Sequence, residues 1–270
     1  MDKCLFQVSY AQGAKGLLGR RLFPAFLLVM TLVIAGTSDT QAQPGGFDVT
    51  FYNCTEFVGI GPVSLTEAQA LVPPAFSIVN AGGSALIVVR ISNCQGVGVG
   101  GSPSVPGTIA HIGINITSPD GMGDINNYTI TYASNVGTLV NALRATGLPA
   151  QYDADLLYEF TRDSSATGNL LGIATPDPGP TWHVYGRESD PALGSAFPFR
   201  AIWWFQSPSR TLRMDTNFPL IAFGTAQVSF QTPGASVLTR LIGGHTIASF
   251  PGLSVRGVFD NAQMTVTMSR

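Results

Sequence analysis

Lysine and charge are scarce in this chain of 270 residues. Only 11% of its residues are charged, and its two lysines, Lys3 and Lys15, both lie within the first 42 residues. Residues 43–270 keep ten arginines and fourteen acidic residues, a formal charge of 10 − 14 = −4. Binding to phosphate requires a basic face, so we expect neither a nucleic-acid partner nor an anionic membrane surface.

Most catalytic signatures are also missing. There is no GxSxG, HExxH or CxxC sequence, which removes the usual motifs of hydrolases, zinc proteases and thiol redox proteins. His111, His183 and His245 are far apart in the sequence. The segment 120–127 groups oxygen ligands that could hold calcium, but it lacks the EF-hand spacing, and a polar turn is the favoured interpretation. We expect no metal and no cofactor.

The first 42 residues have the order of a secretory signal. Four basic residues precede an uncharged apolar run from Leu22 to Gly36, and a small, polar segment follows. The run of 15 residues is shorter than the ~20 that span a bilayer. We therefore expect cleavage after Ala42 and a secreted or periplasmic protein without an integral membrane segment. An anchor that stays attached is the alternative.

Two cysteines remain after such cleavage, because Cys4 lies in the leader. In an exported protein, Cys54 and Cys94 most simply form a disulfide. Closing that loop would stabilise the fold by roughly 4 kcal/mol in the chain-entropy model. Metal ligation and redox pairing are alternatives that the wide spacing disfavours.

Residues 43–270 are predicted to be mainly β and to form a single domain. The 31 glycines and 18 prolines fit many turns between short strands. Alternating or β-branched runs predict strands at 48–52, 85–91, 108–116, 128–132, 182–185, 199–205, 211–215, 226–230 and 264–268. This pattern favours an antiparallel barrel or a sandwich. The adjacent Trp203 and Trp204 must point to opposite faces of their strand, so at most one faces the interior.

Two or three short helices interrupt the strands. Their predicted positions are 68–71 after a capping box of Ser64 and Glu67, 139–143 after an Asn135 cap, and 236–242 before Gly243-Gly244.

Three stretches together resemble the acetoacetate decarboxylase family. They are 65–76 with the strand 85–91, 128–132 leading to Ala142-Leu-Arg-Ala-Thr-Gly-Leu-Pro149, and 224–230 with the helix ending at Leu241. Their order and spacing agree with the family over most of residues 54–268. The resemblance implies a cone-shaped antiparallel β-barrel enclosing an apolar cavity.

The family's catalytic lysine and its lysine neighbour are absent from the matching positions. These read Ala150 and Gln151. Schiff-base decarboxylation needs an amine nucleophile, and residues 43–270 contain no lysine. The resemblance therefore implies the scaffold without this chemistry.

The resemblance also indicates which side chains line the cavity. Arg90 and His111 occupy positions where the family has acidic residues, and the family's cavity arginine falls near Cys54. Tyr128, Gln151 and Tyr152 are further candidate wall residues. If Arg90 and His111 both face inward, the cavity holds a cation and a titratable imidazole within apolar walls.

Two functional hypotheses follow. The first is an exported protein that binds a largely apolar small molecule, with or without a carboxylate or keto-acid group. The second is a lysine-independent lyase, hydratase or isomerase acting on a keto acid or related carbonyl compound. There, Arg90 would hold the substrate anion and His111 would carry the proton. A third hypothesis is an envelope or interaction protein whose barrel is filled and binds no ligand. The sequence leaves open whether the chain forms a homo-oligomer.

Overall fold

A computed structural model describes residues 46–270. The strands run Phe47–Ser64 (β1), Ser84–Val99 (β2), Val105–Asn115 (β3), Ile125–Ser134 (β4), Gln151–Tyr152 (β5), Leu157–Arg162 (β6), Thr167–Ala174 (β7), Trp182–Ser189 (β8), Phe197–Gln206 (β9), Thr211–Gln231 (β10), Thr246–Ile247 (β11) and Leu253–Ser269 (β12). The helices are Leu65–Leu71 (α1), Gly137–Ala145 (α2) and Val237–Ile242 (α3). The predicted leader, residues 1–42, lies outside the described residues.

Seven strands close into a barrel. Their order is β12-β1-β2-β3-β4-β9-β10, and the first part of β10 pairs back with β12. Every step of this ring is antiparallel except β4–β9, which is parallel. The mainly β, barrel-like fold expected from the sequence is confirmed.

The side chains that point into the ring form the barrel interior. Helix α2 packs its buried face against this core, because Leu139, Val140 and Leu143 have no exposed surface. The strands contribute Val49, Phe51, Cys54, Val88, Ile109, Tyr132, Trp203, Met214, Phe218, Phe259 and Val266, among others. The interior is therefore largely filled by aliphatic and aromatic groups.

A second sheet covers the outer face of the barrel. The last part of β10 leaves the ring and pairs with β8, which continues through β7 to β6. Between this sheet and the barrel lies an interlayer core, which includes Phe57, Ile91, Ile112, Leu170, Trp182 and Phe230. Strands β6 and β7 were not predicted from the sequence.

The disulfide expected between Cys54 and Cys94 is present. The two residues lie directly opposite each other in the β1–β2 pairing, so the bond joins adjacent strands of the ring.

Two of the three predicted helix termini are as expected. The Ser64 hydroxyl accepts a hydrogen bond from the Glu67 amide, and α3 ends at Gly243, which has a left-handed φ of 67°. The reciprocal cap between Ser236 and Thr239 at the start of α3 was not predicted. The Asn135 cap was wrong, since α2 begins after Val136 without a side-chain cap. The Asn135 side chain instead accepts from the Thr108 amide at 2.8 Å, and this bond joins the turn to β3.

A buried charged cluster crosses the interlayer core. Glu188 of β8 is 1% exposed, and its Oε2 accepts from the Tyr158 hydroxyl at 3.2 Å. Arg256 of β12 lies 3.7 Å from the same oxygen and pairs with Asp190. Burial raises the pKa of Glu188 to about 8, although Arg256 and Tyr158 act in the opposite direction.

We predict that stability falls as the pH rises because of Glu188. Its folded-state pKa of about 8 exceeds the roughly 4.3 of an unfolded glutamate. The native state therefore holds a proton that the unfolded state has lost, and the free energy of unfolding falls by up to about 1.4 kcal/mol per pH unit within this window. Urea unfolding between pH 5 and 8 should show this slope in the wild type and a shallower one in Glu188→Gln.

The exposed Glu159 on β6 provides the matched control, and Glu159→Gln should keep the wild-type slope. Equal slopes in the wild type and Glu188→Gln would contradict the assignment.

Candidate functional site

A small cavity lies inside the barrel, with a volume of about 50 Å³. Its walls are mainly apolar and include Val88, Phe199, Phe218 and Phe223. Val88 and Phe218 are almost fully buried, whereas Leu253, which also borders the cavity, is 39% exposed. The cavity therefore runs from the buried interior towards the surface at the start of β12.

One ion pair lines this apolar cavity. Arg90 of β2 contacts Glu56 of β1, and both residues border the cavity. The Nε and Nη2 atoms of Arg90 each lie 2.6 Å from Oε2 of Glu56. Their side chains are only 12% and 4% exposed. The charge of Arg90 is thus balanced by an adjacent carboxylate.

His111 faces the barrel interior beside Arg90, since the two residues are direct partners in the β2–β3 pairing. Its ring stacks on Trp203 with the centroids 3.6 Å apart, and its Nε2 lies 2.8 Å from the Thr129 hydroxyl. Burial, with a smaller effect of the nearby Arg90, lowers the pKa of His111 well below its usual value. The imidazole is therefore neutral at physiological pH.

Local irregularities place these residues on one face. Val49 and Phe51 of β1 belong to the barrel interior, and the inward positions after Asn53 are Cys54 and Glu56. Asn53 has a positive φ of 48°, and this left-handed residue shifts the alternation by one position. Without the shift, Glu56 would point into the interlayer core.

The structure places Arg90 and His111 side by side on adjacent strands. Arg90 lines the cavity, whereas His111 is not one of its wall residues, and the other candidates lie apart from both. Tyr128 lies on the opposite face of its strand, in the interlayer core against Phe76. The register of β4 shifts opposite Ile112 and Gly113, so that Thr129 and Tyr132 pair with inward-facing positions of β3.

Gln151 and Tyr152 lie at the edge of the ring, where β5 pairs with the end of β4. Tyr152 is 48% exposed. The Gln151 side chain donates to the Pro149 carbonyl at 3.1 Å. Ala150, by contrast, is fully buried in the barrel interior.

Sequence reasoning missed Glu56, the partner of Arg90. The only signal was indirect: the resemblance placed a cavity charge near Cys54, two residues earlier. The tryptophan pair was interpreted correctly, because Trp203 lies in the barrel interior and Trp204 in the second layer. Trp204 donates to Asn126 at 2.9 Å.

No group of three or more His, Cys, Asp or Glu side chains within residues 46–270 is placed to hold a metal ion. His183 and His245 border a separate surface pocket, and neither is a wall residue of the barrel cavity. Asp120 forms an ion pair with Arg213, and Asp124 accepts from the Arg200 amide. In the same described part, no helix is long and apolar enough to cross a membrane.

Gly113 allows Trp203 to lie flat against the β3–β4 pair. A Cβ at this position would lie 2.3 Å from the Tyr128 carbonyl oxygen and 2.7 Å from the Trp203 ring. We predict that Gly113→Ala lowers the free energy of unfolding by about 1–3 kcal/mol, because a backbone oxygen cannot easily move away. Chemical denaturation monitored by tryptophan fluorescence would measure the change.

Gly244→Ala is the control, since no heavy atom lies within 4 Å of its added Cβ. It should change stability by no more than about 0.5 kcal/mol. Equal effects of the two substitutions would contradict the packing argument.

Comparison with known proteins identifies the scaffold. No family model and no curated protein matches the chain. The fold is similar to a solved acetoacetate decarboxylase, with a TM-score of 0.55 and 11% identity over 82% of this chain and 88% of that one. The acetoacetate decarboxylase of Legionella pneumophila is similar with a TM-score of 0.51 and 12% identity. The match covers 80% of this chain and 84% of that enzyme.

A third similar structure is the enduracididine biosynthesis enzyme MppR complexed with pyruvate. Its TM-score is 0.52 at 12% identity, and the match covers 91% of this chain and 98% of that enzyme. At this level of identity the similarity establishes architecture alone. Together with the closed ring and the buried Ala150, it shows that the chain has the acetoacetate decarboxylase-like fold.

Proposed function

We propose that this chain is an exported protein that binds a small, largely apolar molecule inside its barrel. The observation that carries the proposal is the cavity itself, which apolar walls surround and a single ion pair contacts. Apolar concave sites with a few convergent polar groups are the usual form of small-molecule sites. The pyruvate bound by MppR adds support, since a protein of this fold holds a compact ligand.

The size of the cavity limits the ligand. A volume of about 50 Å³ is well below the roughly 300–1,000 Å³ of typical ligand pockets. It exceeds the ~10–15 Å³ needed for one water molecule. A molecule of a few non-hydrogen atoms fits, and a longer one would extend past Leu253 towards the surface.

The proposal excludes Schiff-base chemistry in the processed chain. No lysine occurs in residues 43–270, and the buried position implied for the catalytic lysine carries a methyl group, Ala150. Such chemistry requires an amine, which no side chain near the cavity supplies.

The geometry favours binding over the alternative of a lysine-independent enzyme. The His111 ring packs against Trp203 and Tyr132, and its Nε2 forms a hydrogen bond with the Thr129 hydroxyl. These contacts leave little of the ring for a substrate to reach. A proton carrier needs contact with the reacting group. Arg90, in turn, is already paired with Glu56.

Export is supported by the order of residues in the leader and by the Cys54–Cys94 disulfide. Disulfides persist in oxidising compartments. N-terminal sequencing of the protein from the periplasmic or secreted fraction should give a start near Gln43. An intact Met1 in the cytoplasmic fraction would contradict export.

Filling the cavity should weaken ligand binding. Ala201 lines it, and Ala201→Leu adds three carbon atoms to its wall. We predict that any small molecule found by ligand-observed NMR binds at least about tenfold more weakly to this variant, a loss of roughly 1.4 kcal/mol. Gln206→Leu on the same strand is the control, because Gln206 is exposed.

Unchanged affinity in Ala201→Leu would place the ligand elsewhere and contradict the proposal. Conversion of the ligand to a product, followed in the same NMR samples, would contradict the binding role and favour the enzyme. Loss of that conversion in His111→Ala, with the fold retained, would then support a role for the imidazole.

A further inference from the structure

The charges around the cavity cancel. Arg90 and Glu56 are both largely buried, and their side chains meet at 2.6 Å. A buried charge is tolerated only when it is paired. Each side chain therefore supplies the opposite charge that offsets the other's loss of hydration.

The neighbouring titratable groups add no charge. His111 is the direct strand partner of Arg90, and burial lowers its pKa well below the usual value. Tyr132 packs edge-on against that imidazole, and burial raises the pKa of its hydroxyl, which stays protonated. The remaining polar wall residue, Asn127, is neutral.

Glu56 makes the cavity unfavourable for an anion. A carboxylate bound at Arg90 would lie beside the Glu56 carboxylate, where the low dielectric strengthens their repulsion. The ligand carboxylate would also lose its hydration without finding a free cation to pair with, because Arg90 is already paired with Glu56. A neutral hydroxyl or carboxamide avoids both costs.

The contacts of the ion pair suit such a neutral group. Both close contacts of Arg90 end on the same oxygen, Oε2 of Glu56. Carboxylates can accept several hydrogen bonds through both oxygens, so Oε1 can accept one from a ligand hydroxyl or amide. The apolar wall of Phe199 and Phe218 would then contact the hydrocarbon part.

We infer that Glu56 sets the ligand specificity of the barrel: it selects compact, uncharged molecules with one hydrogen-bonding group and excludes carboxylates. This inference rests on the proposed function, since it names the ligand class of the same cavity. It assigns to Glu56 a role in choosing the charge of the ligand rather than in chemistry.

Propionamide and propionate test directly whether the cavity prefers an uncharged ligand, because they have nearly the same shape and differ in charge at pH 7. NMR titration of the wild-type protein should show propionamide binding at least about tenfold more tightly. In Glu56→Gln, Arg90 loses its counter-charge and faces the cavity as a free cation. Propionate should then gain at least about tenfold in affinity, while propionamide changes little.

Glu56→Gln leaves an uncompensated buried cation, which lowers the stability of the fold, so a second variant is needed. The double variant Glu56→Gln/Arg90→Met removes both charges and should bind propionamide but not propionate. The preference of the wild-type protein for propionamide over propionate is measured without any substitution, so it does not depend on the stability of these variants.

Two results would overturn the inference. Wild-type protein that binds propionate as tightly as propionamide would show that Glu56 does not exclude anions, while the small-molecule site would stand. Binding of neither probe would refute this ligand class, and the Ala201→Leu comparison with another ligand would decide separately whether the cavity is a binding site.

Discussion

The pairing of Arg90 with Glu56 inside an apolar ring is the interaction on which the rest of the account depends. Neither charge could stay in this environment alone. Because each side chain comes from a different strand, the pair also links the conformation of β1 to that of β2. It converts what would be a cationic pocket into a neutral one, and so determines which molecules the interior can accept.

The fold explains how such a pair can be held beside open space. A closed ring leaves few routes for side chains to relax, and the bulky Trp203 and Phe218 restrict them further. Gly113 supplies the room that the indole needs. The second sheet shields the outer face of β1 and β2, so that their other side chains form the interlayer core. The cavity is thus the part of the barrel that its aromatic residues do not fill.

Much of this architecture could be predicted from the sequence, because it follows from local patterns. Alternating runs and turn residues predicted a β-rich chain, and the resemblance predicted the barrel. The resemblance also pointed to Arg90 and His111 but left open whether both face inward. The disulfide followed from counting cysteines. The alternation within the strand also predicted correctly that at most one of Trp203 and Trp204 faces the interior.

The remaining details depend on irregular backbone that periodicity does not reveal. The left-handed Asn53 changes the alternation of β1 and thereby brings Glu56 inward. The register shift in β4 places Thr129 near His111, while Tyr128 points into the other core. The Asn135 side chain bonds β3 instead of capping α2. Each of these choices depends on a partner distant in sequence, which a single sequence does not identify.

A crystal structure of residues 43–270 under xenon pressure would test the central claim most directly, because dry apolar cavities bind this gas. The account predicts a xenon atom between Val88, Phe199 and Phe218, with Arg90 still bound to Glu56. A barrel whose interior takes up no xenon and is filled by side chains, or an Arg90 turned away from Glu56 into solvent, would contradict it.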